Sequence, residues 1–308
     1  MSETVYATAE KIKKLEVQGA RDVAIAALKA VQTLAEQSRA KTKTAFLREL
    51  KEAQKVLFAS RETEPLMRNA IRYILIQTQD SGTEKVDALT ELVSSNASLF
   101  LQNLEASQEC IAEIGAQRIR DGMLVFTHCH SSTVTRTIAK AKSDGKSFSV
   151  ICTETRPAFQ GRITARELVD LGVQTMFIVD SAARSYMGDV DLVLVGADAI
   201  TSEGNVVNKI GTSGIAVLAN EARKPFYVVS ELLKFDPETI CGTYEPIEQR
   251  SSSEVWSEAP EGLSVRNPAF DVTPSRYIDG LICEEGVISP QSVVEAVYRN
   301  YPWALKQR

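Results

Sequence analysis

MLVFTHCHSSTVTRTIAK, residues 123–140, passes from strand to turn to helix within one stretch. Met123, Leu124, Val125 and Phe126 are an apolar run of strand formers. Thr127, His128, Cys129, His130, Ser131, Ser132 and Thr133 break it, and Val134, Ile138 and Ala141 then recur at helical spacing. In open α/β sheets ligands bind in the crevice beyond the carboxyl ends of the strands. A helix start adds free N–H groups and a positive dipole end, which suit an anion such as phosphate. Cys129 stands at that mouth between the only 2 histidines of the chain.

Outward from this stretch the two sides differ. Up to about Arg118 the pattern is helical: Val5, Ile12 and Leu15 fit one helix, and Val23 to Leu34 a second beyond Gly19. Phe46, Leu50, Ala53 and Leu57 mark a third, Pro65 opens a fourth, and Val86 to Ile114 trace one face of a long fifth. From Gly122 strands and helices alternate, which implies a parallel sheet. The expected strands are 123–126, 147–152, 175–179, 192–195, 226–229 and 278–283, with helices at 164–171, 181–186, 212–222 and 289–299. Leu192–Val195 is wholly apolar, as suits a strand covered on both faces. Residues 243–271, rich in Glu, Ser and Pro, read as a long surface excursion. No linker separates the two parts, so they are expected to pack directly.

With 308 residues the chain has room for two domains and a sizeable core. A formal net charge of −5 argues against general nucleic-acid binding, which needs a basic footprint. Apolar runs are of strand length, far short of the roughly 20 residues of a membrane span, and the amphipathic start lacks a signal-peptide core. The 5 cysteines have no CxxC spacing, so neither a disulfide framework nor a zinc site is indicated. A reduced, cytoplasmic protein without membrane or nucleic-acid partners is expected.

Cys129 has a plain reading as a small buried hydrophobe. Against it, a thiol ahead of a helix start and beside two histidines is expected to ionise more easily, giving a base or nucleophile near neutral pH. Asp198, after the strand 192–195, reads either as a turn cap or as an acid facing the same crevice. Asn208, Lys209, Gly211 and Thr212 open the next helix and are expected to form a second anion cradle; the lysine could equally be solvated. The loop 153–162 reads as polar surface or as a crevice wall. Arg21 and Arg61, at helix–helix connections, could reach a phosphate or remain surface charges. Neither GxGxxG nor GxxxxGK[ST] occurs.

At these residues a resemblance becomes specific. THCHSS (127–132), TETRPAFQGRITARELVDLGV (153–173), VDSAARSYM (179–187), GADAIT (196–201), NKIGTS (208–213) and NPAFDVTP (267–274) together resemble the archaeal ribose 1,5-bisphosphate isomerases. That family is grouped with methylthioribose-1-phosphate isomerase and with the alpha, beta and delta regulatory subunits of the factor that exchanges guanine nucleotide on initiation factor two. The resemblance implies an all-helical domain (1–118), then a Rossmann-like α/β catalytic domain with a mainly parallel sheet (119–308). It also implies a homo-oligomer built from dimers, as large as a hexamer.

By the same resemblance Cys129 accepts a proton and Asp198 donates one. Ser131, Ser132 and Thr133 bind substrate at the helix start, with Asn208 and Lys209 opposite. Lys234 matches a substrate-binding lysine, Gln160 a glutamine that contacts sugar phosphate in the methylthioribose relative, and Arg61 a phosphate-binding arginine. The family's Arg-Gly-Ala-Gly loop is Gln18, Gly19, Ala20, Arg21 here, which moves the guanidinium to the other end. Its Arg-Pro-Thr is Arg61, Glu62, Thr63. The implied activity converts ribose 1,5-bisphosphate to ribulose 1,5-bisphosphate in AMP breakdown, with no metal or organic cofactor. The alternatives are a methylthioribose-1-phosphate isomerase and a non-catalytic regulatory subunit, and the polar Ser131–Thr133 run and Lys234 disfavour the first.

Overall fold

A computed structural model describes residues 3–61 and 63–305, so the replacement at Glu62 lies outside the described residues. Five helices come first: α1 (Glu3–Lys13), α2 (Ala20–Glu36), α3 (Lys43–Phe58), α4 (Pro65–Asp80) and α5 (Val86–Ala116). Thr42 caps α3 by accepting from the Ala45 N–H at 3.2 Å, and Pro65 occupies the first turn of α4. Their apolar faces, among them Val5, Leu28, Phe46, Leu57, Ile71 and Val93, close one core.

The 31 residues of α5 serve two cores. Leu89 to Leu104 pack among the first four helices. Ile111 and Ala116, with Ile119 beyond, pack instead on Val125, Val134 and Ile138 of the sheet region. At about 1.5 Å per residue the helix is long enough to run under both.

The remainder alternates: β1 (Leu124–Thr127), α6 (Ser132–Ser143), β2 (Ser149–Thr153), α7 (Gly161–Asp170), β3 (Gln174–Ile178), α8 (Ala183–Tyr186), β4 (Leu192–Val195), β5 (Ala199–Ile200), β6 (Val206–Lys209), α9 (Thr212–Glu221), β7 (Phe226–Val229), β8 (Phe270–Thr273), β9 (Gly280–Cys283), β10 (Gly286–Ile288) and α10 (Val293–Asn300). Seven strands form one sheet in the order β10-β9-β7-β4-β1-β2-β3, parallel except for β10. From β1 the chain builds outward through β2 and β3, then returns to lay β4 on the other side of β1. The order therefore reverses between β1 and β4, whose pairing sets Val125 beside Leu192 and Phe126 beside Val193.

Two expectations need correction. The segment after β4, read as loop until α9, contains β5 and β6, which form a small antiparallel sheet with β8. The excursion at 243–271 is not confined to the surface: Glu245, Asn267, Ala269 and Phe270 are buried, and Phe270 and Asp271 already belong to β8. Pairing between strands so far apart leaves no local periodicity to read. Among the described residues, no helix is long and apolar enough to cross a membrane.

Candidate active site

The turn after β1 is backbone under strain. Cys129 has φ 67°, a left-handed conformation that a non-glycine residue adopts at a cost, and Thr155 after β2 has φ 62°. The two are tied together, the Cys129 N–H donating to Thr155 Oγ1 at 2.9 Å. Asp180 fixes the second turn by accepting from the N–H groups of Thr155 (2.8 Å) and Arg156 (2.7 Å). Ser131 then caps α6, accepting from the Val134 N–H.

The two histidines have separate tasks. His128 is buried, and its Nε2–H donates to the Ile210 carbonyl at 2.9 Å. Its Nδ1 lies 2.6 Å from the Thr153 hydroxyl, from which the neutral ring accepts. Burial holds it below the ordinary histidine range. It braces β1 against β2 and the turn before α9. His130 faces the cavity, its Nδ1 3.1 Å from Thr164 Oγ1.

The expected easing of thiol ionisation does not occur. Burial pushes the Cys129 thiol up to about 11, with Asp198 and Asp180 adding to it, against the opposing Lys209 ammonium and the His130 N–H. Desolvation of the sulfur outweighs the helix end, because a thiolate loses hydration that these partners only partly replace.

Cys129 and Asp198 line one cavity of about 540 Å³ at the β1–β4 reversal. The Asp198 N–H donates to Val207 O at 2.9 Å, which pins its loop to β6. Gly196 permits the close approach of the two loops, since a Cβ there would stand 2.7 Å from Ser131 Oγ. Gly161 does the same at α7, where a Cβ would meet the Thr153 carbonyl at 1.7 Å. Just before it, Gln160 reaches the cavity with a buried Oε1 that has no hydrogen-bond partner.

Gln18, Gly19, Ala20, Arg21, Arg61, Ser131, Ser132, Asn208, Lys209 and Lys234 also line this space. Thr133 does not: buried at the next position, its hydroxyl donates to Glu231 Oε1 at 3.3 Å. Glu231 in turn lies 3.3 Å from Lys234 Nζ; burial raises its carboxyl, but Lys234 outweighs this and holds it below the usual range. The expected second anion cradle is already filled. Asp271 accepts from the N–H groups of Gly211 (2.7 Å) and Ser213 (3.0 Å), leaving the side chains of Asn208 and Lys209 rather than the α9 amides to meet a ligand.

Several lining residues carried no sequence signal. Arg136 on α6 is one, ion-paired to Glu105; Arg21 on α2, expected at a phosphate, pairs with the same carboxylate. Arg250, Glu254 and Asn267 arrive from the excursion, Arg250 bonding Glu248 at 2.9 Å and Asn267 bonding Glu254 at 3.1 Å. Asn267 opens a quoted motif, which was the one available hint. In all, Arg21, Arg61, Arg136, Lys209, Lys234 and Arg250 face Glu16, Asp22, Asp198 and Glu254, an excess of positive charge suited to an anionic ligand. Among the described residues, no group of three or more His, Cys, Asp or Glu is placed to hold a metal ion.

Comparison with known proteins returns relatives over nearly the whole chain. The chain belongs to the Initiation factor 2 subunit family, whose profile matches residues 16–290. Over 311 aligned residues it is 42% identical to the ribose 1,5-bisphosphate isomerase of Pyrococcus furiosus, covering 99% of this chain and 96% of that protein. Among solved structures it superposes on the translation initiation factor eIF-2B of Pyrococcus horikoshii OT3 with a TM-score of 0.82 and 32% identity, covering 94% of this chain and 98% of that one. The 5-methylthioribose 1-phosphate isomerase of the same organism gives a TM-score of 0.77 and 31% identity, covering 96% and 87%.

Proposed function

We propose that the protein is an aldose–ketose isomerase that converts ribose 1,5-bisphosphate to ribulose 1,5-bisphosphate in AMP breakdown. The observation that carries this reading is the meeting of Cys129 and Asp198 in one cation-rich cavity, joined to near-full-length similarity to a protein of that name. The C1 phosphate blocks ordinary ring opening, because the anomeric oxygen is esterified. Asp198 as general acid gives its proton to the ring oxygen as the bond to C1 breaks. The Cys129 thiolate takes the C2 proton, leaving an enol phosphate. Return of a proton from sulfur to C1, and loss of the C2 hydroxyl proton to the Asp198 carboxylate, gives the ketose and restores both groups. Lys209 is the cation that favours the thiolate, and phosphate grips at both ends hold C2–H against the sulfur. Arg61, Lys234 and Gln160 are assigned to those grips with Gln18–Arg21, and Ser131, Ser132, Asn208 and Lys209 to the sugar between. The enzyme is further proposed to work as a homo-oligomer built from dimers.

Pro157, Ala158 and Ile163 make one wall apolar, which would suit the thioether of 5-methylthioribose 1-phosphate. Assay of the purified protein on both sugar phosphates side by side separates the readings, with turnover expected on ribose 1,5-bisphosphate. No turnover on either would overturn the isomerase and favour a non-catalytic phosphate-binding subunit. Cys129→Ser is expected to abolish turnover while retaining ligand binding; unchanged turnover would remove Cys129 from the chemistry.

A further inference from the structure

Glu64 is fully buried at the start of α4, and neither carboxylate oxygen has a hydrogen-bond partner. Its nearest cation is Arg61, whose Nε lies 3.4 Å from Oε2. The Arg61 side chain is itself only 10% exposed, lines the cavity, and has Nε and Nη1 without hydrogen bonds. Its contacts to Glu64 and to Glu248 (3.8 Å) are long ion pairs. A nearly buried guanidinium with unsatisfied donors on a cavity wall is built to receive acceptor oxygens from a ligand.

We propose that Glu64 is the proton-linked counter-ion of the anion grip formed by Arg61 and Lys234: ionised, it balances Arg61, and it takes up a proton when a dianion docks. This deepens the assignment above and rests on the cavity accepting a phosphorylated ligand. Four groups set the charge state of Glu64: Arg61 and Arg68 from its own segment, Asp198 from the β4–β5 connection and Lys234 from the turn after β7. Glu248 faces Arg61 from the excursion, and Glu231 pairs with Lys234. Burial, the largest influence, pushes the Glu64 carboxyl up to about 7; Arg61 opposes it and Asp198 adds to it. A dianion on Arg61 brings further negative charge, so above neutrality its arrival draws a proton onto Glu64 and its affinity falls as pH rises.

Sulfate is the probe, because it remains a dianion throughout and needs no turnover. Calorimetric titration of the whole protein from about pH 6 to 8.5, in buffers of different ionisation enthalpy, is expected to show proton uptake and a rise in Kd on the order of tenfold. Glu64→Gln is expected to flatten that dependence, and Glu64→Ala serves if the glutamine variant does not fold. His130 faces the same cavity and is the control. His130→Asn must therefore keep the slope, whereas a slope retained in the Glu64 variants overturns the proposal. Wild-type protein that binds no sulfate, or binds it without proton uptake, also overturns it. Absence of turnover on ribose 1,5-bisphosphate with the sulfate linkage intact would sink the isomerase alone.

Discussion

At Cys129 the backbone and the side chain are both held away from their resting states. The residue adopts φ 67° where it lines the cavity, and burial keeps the thiol protonated up to about 11. Because the thiolate is the nucleophile, alkylation of Cys129 by iodoacetamide should rise about tenfold per pH unit between about pH 7 and 10 without a plateau. Peptide-resolved mass spectrometry follows it apart from the exposed Cys241; a plateau below pH 9 would mean that the thiol ionises easily after all. Glu64 gives a second residue-scale prediction. Its folded-state pKa is raised from 4.5 to about 7, so the native state binds the proton more tightly than the unfolded chain. The stability this confers is complete below about pH 4.5 and is lost as pH rises through 7. Glu64→Gln, which mimics the protonated form, should thus match wild type at about pH 4 and exceed it by about 3 kcal/mol at pH 8. Denaturant melts at the two pH values check this, and a pH-independent gap would refute it.

Among elements, the strand ends carry the site, and two glycines let them close on it. A Cβ at Gly196 would meet Ser131 Oγ at 2.7 Å and Ser131 Cβ at 2.8 Å, so Gly196→Ala must push the α6 start away from the Asp198 loop. The expected result is a fall in kcat/KM of about 10- to 100-fold with little change in secondary structure, read by steady-state kinetics beside far-UV dichroism. The positions of Cys129 and Asp198 were legible because each follows a strand of buried apolar residues, and β4 and β7 fall on the expected residues. The five helices were legible for the same reason, as each shows one sustained apolar face. The small sheet was not: β5 has 2 residues, and β6 pairs with β8 from across the excursion. Nor could the role of His128 be read locally, because its partners Thr153 and Ile210 come from other elements. The second anion cradle failed likewise, Asp271 reaching the α9 amides from β8. Arg136 and Arg250 remained hidden because charge on a helix face or in a long excursion shows its direction only after folding.

At the scale of the whole molecule the seven-stranded sheet ends in β3, which nothing among the described residues pairs on its outer side. Its sequence, QTMFI, has no charge or proline to discourage edge pairing. Met176 and Phe177 are 45% and 44% exposed, with Val179 just beyond and Val169 of neighbouring α7 more exposed still. A patch of this kind on an edge strand is what a second copy would cover. The proposed oligomer is therefore expected to use it, burying about 800 Å² per partner if the interface is of ordinary size. Light scattering should return a mass that is a multiple of 33.8 kDa, and Phe177→Lys should lower it without loss of secondary structure. A monomeric wild type, or a variant of unchanged mass, would exclude this face. The consequence reaches the cavity, because α7 begins at the residues that wall it, Gln160 and Ile163. If copies meet at β3 and α7, dissociation loosens that wall, and KM should rise as the protein is diluted while the denaturation midpoint of the sheet core barely moves.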